Sequence, residues 1–95
     1  MKKLDLEKSF IKKNNLIISK IENEAVILET NSGIYFKTNK VGIFLIELLE
    51  KKSSFENLLE KTSVHFKVSK EKCFIDIDNF LNQLLQKKLI EIIEN

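Results

Sequence analysis

Apolar and polar positions change rhythm twice along the chain. From Leu16 the run Leu16-Ile17-Ile18-Ser19-Lys20-Ile21 is rich in β-branched residues and reads as a strand. Glu22-Asn23-Glu24 follows as a turn, and Ala25 to Thr30 as a second strand. Asn31-Ser32-Gly33 is a hairpin turn whose glycine can take positive φ, and Ile34-Tyr35-Phe36-Lys37 is a third strand.

Beyond Asn39 the period lengthens to that of a helix. Asn39 is a good N-cap, and Lys40 to Lys52 places Val41, Phe44, Leu45, Leu48 and Leu49 on one face. Ser53 or Ser54 caps a second helix that ends near His65, with Phe55, Leu58, Leu59 and Val64 or Phe66 turned inward. Ser69 caps a third and longest helix, running to about Lys88, with Lys72 where a capping box would have Glu or Gln. On it Phe74, Ile77, Leu81, Leu84 and Leu85 share one arc. Cys73 and Phe80 widen that arc on one side, followed by Asp76 and Gln83, so an apolar stripe with a polar margin marks a groove there. Leu89 to Ile93 closes the chain as a short strand or a helical extension.

The order defines an α+β, winged-helix-like domain, a three-stranded antiparallel sheet followed by three helices, over residues 16–95. Residues 1–15, lysine-rich with Leu4, Leu6, Phe10 and Ile11 scattered through them, read as an N-terminal arm, either a short helix or loosely held. A length of 95 residues, 43% of them apolar, gives one domain and one modest core.

Charge narrows the function. The 16 basic residues are all lysine against 14 acidic ones, and without arginine's forked donors the chain is poorly equipped to read guanine edges or phosphates. Between Ser69 and Lys87 the third helix sums to zero, with Lys70, Lys72 and Lys87 against Glu71, Asp76 and Asp78. A winged-helix DNA-binding regulator is therefore the second reading, kept open by topology and by a patch of Lys12, Lys13, Lys37 and Lys40.

No stretch approaches the roughly 20 apolar residues a membrane span needs, and no apolar signal core follows Lys2 and Lys3, which gives the expectation of a cytoplasmic protein. Cys73 has no internal disulfide partner. His65 stands alone, Asp76 and Asp78 lie about 200° apart on their helix, and Gly33 and Gly42 make no phosphate loop. The expectation is no catalytic residue, no metal and no cofactor. A more telling feature is the third strand: at a sheet edge it either offers backbone donors and acceptors to an added peptide strand or is simply solvated or covered by the N-terminal arm, and the sequence leaves both open.

These residues resemble the PqqD-like family, the precursor-peptide recognition elements. Gly33, Tyr35, Asn39 and Gly42 match its Gly-x-Tyr and Asn-x-x-Gly. Asp76, Ile77, Phe80, Leu81 and Leu84 match its Asp-Val-x-x-Phe-Leu-x-x-Leu helix, followed by Lys88-Leu89-Ile90 where Gly-Leu-Val is common. Thr38 replaces the usual Leu, and Lys51-Lys52 a usual Gly.

The resemblance implies a non-enzymatic adaptor that binds the leader of a ribosomal precursor peptide. The leader would add to the backbone of Ile34, Tyr35, Phe36 and Lys37 and lie against Cys73, Asp76, Phe80 and Gln83, with Lys72 meeting an acidic residue at the rim. It implies as partner a radical-SAM enzyme, or a leader protease and cyclase. The spacing of the first two motifs is more similar to lasso-peptide pathway proteins.

Overall fold

The computed structural model describes residues 8–93, so Leu4 and Leu6 of the expected arm lie outside the described residues. Nine elements follow in order: β1 (Ser9–Lys12), β2 (Leu16–Ile21), β3 (Glu24–Glu29), β4 (Tyr35–Thr38), α1 (Lys40–Leu48), β5 (Ser53–Ser54), α2 (Phe55–Phe66), α3 (Lys70–Gln86) and β6 (Ile90–Ile93). The expected three-stranded antiparallel sheet is present in the order β2-β3-β4. Its two turns form as the residues allow. Glu22 opens the first with φ of 56°, and Gly33 closes the second with φ of 76°.

A second antiparallel sheet, β5-β1-β6, corrects the reading of residues 9–12 as part of an arm. Phe10 is fully buried in the core, and the Lys12 N–H donates to the Leu49 carbonyl at 2.9 Å. The polar surroundings of Phe10 hide a strand whose partners lie far along the chain, at Ser53–Ser54 and Ile90–Ile93. The closing segment resolves to a strand for the same reason.

Helix boundaries follow their caps. Asn39 Oδ1 accepts the Gly42 N–H, Ser54 Oγ accepts that of Asn57, and Ser69 Oγ accepts that of Lys72. α1 ends at Leu48, four residues short of the expected Lys52. Its last carbonyls find partners outside the helix: Leu48 accepts from Ser53 Oγ and Leu49 from β1. α3 stops at Gln86, where Lys88 takes a left-handed φ of 60°. Lys88 N–H then bonds the Leu85 carbonyl and Leu89 N–H the Leu84 carbonyl, a Schellman closure.

The core joins both sheets and all three helices through Phe10, Ile27, Leu45, Ile46, Leu49, Phe55, Leu58, Ile77, Leu81, Leu84 and Leu89. Val64 is exposed, whereas Phe66 packs edge-on against Phe44. His65 stacks flat on Phe44 with centroids 4.3 Å apart, a packing role at the helix end. Among the described residues no group of three or more His, Cys, Asp or Glu could hold a metal ion. No helix among them is long and apolar enough to cross a membrane.

Candidate functional site

Within the first sheet β4 is an edge, hydrogen-bonded only to β3 among the described residues. The direction of its backbone groups follows from one bond: Glu29 N–H donates to the Ile34 carbonyl at 2.8 Å, so these two residues form a hydrogen-bonded pair. Register is constant along the ladder, with Ile27 opposite Phe36 and Ala25 opposite Thr38. Phe36 and Thr38 therefore turn N–H and C=O toward β3, while Tyr35 and Lys37 turn theirs toward the open edge. Ile34 lies outside the strand, its N–H on Ser32 Oγ and its carbonyl on Glu29. Of the four backbones expected to offer bonds, two do.

The side chains alternate in step. Tyr35 and Lys37 are exposed on the outer face, and Phe36 and Thr38 face inward. Phe36 meets Phe80 of α3 edge-to-face, with centroids 5.9 Å apart. Above this contact lies a groove of about 810 Å³ bounded by β4, the ends of β2 and β3 beside it, the start of α1 and α3, with Phe36, Thr38, Asp76, Asn79, Phe80 and Gln83 among its lining residues.

Gly42 sets the width of the groove floor. A Cβ there would stand 1.6 Å from Thr38 Oγ1 and 3.0 Å from Phe80 Cε1, so only glycine lets α1 pass this close to β4 and α3. That is the physical content of Asn39 and Gly42 at their spacing: one starts the helix and the other lets it in.

Of the four α3 residues expected to line the groove, Asp76, Phe80 and Gln83 do so, and Phe36 and Lys37, expected for their backbone, are also among the lining residues. Cys73 does not: it is 5% exposed and packs in the core. Burial holds its thiol above the usual value, with Asp76 adding to the effect and Lys72 opposing it, which suits an inert packing residue. Lys72, Ile34 and Tyr35 are exposed outside the lining. Asn79 lines the groove unforeseen, although it sits three residues after Asp76 and four before Gln83, a spacing that puts all three on one helical face.

Glu29 braces the hairpin that carries β4. Its carboxylate, itself buried, accepts the N–H and Oγ of Ser32, both at 2.6 Å, and the side-chain amide of Asn15. The bonds from Ser32 chiefly hold its pKa below the usual carboxylate value.

A small α+β domain with an edge strand set across a groove from a helix belongs to the class of peptide-recognition modules. Residues 24–90 match the family of Coenzyme PQQ synthesis protein D (PqqD), and the chain belongs to that family. Among solved structures, that of TbiB1 in complex with the TbiA(beta) leader peptide is similar to it, with a TM-score of 0.75 and 25% identity over 90% of this chain and 99% of that one. No curated protein matches.

Proposed function

We propose that this protein binds the leader segment of a ribosomally synthesised precursor peptide by strand addition to β4 and presents it to a modifying enzyme or leader protease, doing no chemistry itself. The observation that carries the reading is the open β4 edge facing α3 across the groove floored by Phe36 and Phe80. The similar TbiB1 structure holds a leader peptide, which supports the same class of ligand here.

An added strand would bond the backbone of Tyr35 and Lys37. Its side chains opposite Phe36 would point inward onto Phe80, Asp76, Asn79 and Gln83, because cross-strand neighbours share a face. Ile34 and Lys72 would contact it at the rims. A leader disordered when free loses entropy on binding, so a few apolar anchors and the strand bonds would carry the affinity. Tethering then raises the effective concentration of the attached peptide at the enzyme. The spacing of Gly33, Tyr35, Asn39 and Gly42 favours a lasso-peptide pathway, and a cytoplasmic location accords with this role.

The DNA-binding reading gains nothing from the groove, whose α3 wall offers Asp76, Asn79, Phe80 and Gln83 and no lysine. A fluorescence-polarisation titration against leader peptides encoded beside the gene tests the proposal. Saturable binding to one of them is expected. Absence of leader binding together with tight, salt-sensitive duplex binding in a gel shift would overturn it.

A further inference from the structure

α3 has a second flank. Opposite the leader groove, Leu59 of α2 and Phe74, Ile75 and Asp78 of α3 line a separate cavity of about 650 Å³, with Lys70, Glu71 and Asn79 at its border. At 100° per residue the centre of this lining lies roughly 140° around the helix from that of the groove wall, with the core-facing stripe between them on one side. Among the described residues only Asn79 lines both. Ile75 is 62% exposed and shares the lining with the apolar Leu59 and Phe74, and Phe74 packs on Phe55 with ring centroids 5.0 Å apart.

The border is acidic. Lys70 is its one cation, and Glu60 already holds it at 2.7 Å, with the field of Glu56 acting on it as well. Glu71 and Asp78 of the lining, with Glu56 and Glu60 beside Lys70, stand against that one lysine and leave three formal negative charges beside an apolar hollow. Complementarity asks for a partner segment that places an apolar side chain over Leu59, Phe74 and Ile75 and a lysine or arginine against Glu71.

Resting on the leader-binding reading, we infer that this cavity is the docking site for a basic, amphipathic segment of the enzyme that acts on the leader-borne peptide. A tether must hold leader and enzyme together. Sites on opposite flanks of one helix allow both contacts at once, and α3 joins them rigidly.

The test is titration of the full-length protein, with and without saturating leader, against the modifying or leader-cleaving enzyme encoded beside it. Ile75→Glu, at an exposed position, should weaken enzyme binding at least tenfold and leave leader affinity unchanged. Glu71→Gln should weaken it less and flatten its salt dependence. Phe80→Ala should do the converse, losing leader and keeping enzyme.

Enzyme binding by Ile75→Glu equal to that of the parent, or no enzyme binding by a parent that binds leader, overturns this inference and leaves leader recognition standing. Failure of the parent to bind any leader overturns the earlier reading instead. A concentration-dependent dimer that Ile75→Glu abolishes would assign the cavity to a second copy of the chain, and likewise overturn the inference.

Discussion

Phe36 of β4 and Phe80 of α3 meet edge-to-face at 5.9 Å, and this contact makes the floor on which a bound strand would rest. Phe80→Ala should reduce leader affinity about tenfold or more, because a buried aromatic anchor is the usual hot spot. Both rings are partly buried, so the loss of stability should fall below the ~3–5 kcal/mol of a fully buried phenylalanine. Polarisation titration alongside urea unfolding separates the two effects. Unchanged affinity in a folded variant would show that the groove is misplaced.

Proline at the edge has a parity. Lys37→Pro or Tyr35→Pro removes an N–H that points outward and should abolish strand addition while most of the stability remains. Phe36→Pro removes one bonded to β3 and should unfold the hairpin. Circular dichroism with leader titration reads the difference, and equal damage from all three would refute the assigned bond directions.

Gly42→Ala should cost more than the roughly 1–3 kcal/mol typical of overpacking, since the new methyl would overlap Thr38 Oγ1. Thr38→Ala in the same chain should restore part of the loss, but not all, because the Thr38 Cβ itself stands 2.8 Å from the new atom. A double-mutant cycle by chemical denaturation measures the coupling.

Glu29 gives the fold an acid limb. Its folded pKa is lowered below the usual 4.5, so its stabilisation is complete above that value and is lost as pH falls through the depressed pKa. The parent should lose stability below about pH 4.5 more steeply than Glu29→Gln, which lacks this linkage. Thermal melts across pH 3–7, a range set by the ordinary carboxylate pKa of about 4.3, would show it. Parallel profiles for the two proteins would rule it out.

Lys88 carries a left-handed φ of 60° at the Schellman closure of α3, in the place where the resembling family often has glycine. Lys88→Gly should raise stability by about 0.5–1 kcal/mol, the relief of the Cβ clash less the entropy a glycine loses. A change of opposite sign would mean that the lysine side chain compensates for the strain.

The elements legible in the sequence were those written locally. Asn39, Ser54 and Ser69 announce three helices because each cap bonds an amide three residues ahead. Gly33 marks a hairpin because positive φ is a property of one residue. The groove was legible in part for the same reason: 100° spacing alone puts Asp76, Phe80 and Gln83 beside the core stripe. Cys73 was misplaced because that spacing ranks residues around a helix and does not say how far a neighbouring element wraps over its edge.

What the sequence determined by itself, then, was the order of the β2–β4 strands and the three helices, their caps and turns, and which side of α3 is amphipathic, since all of these rest on interactions within a few residues. Only the tertiary structure decided that Ser9–Lys12 joins Ile90–Ile93 in a second sheet and that Gly42 lets α1 close on Thr38 and Phe80. It also decided that Tyr35 and Lys37, rather than Ile34 and Phe36, present their amides to the open edge. Each of these depends on register or on close approach between segments distant in the chain, and hydrogen-bond parity reverses with a shift of a single residue.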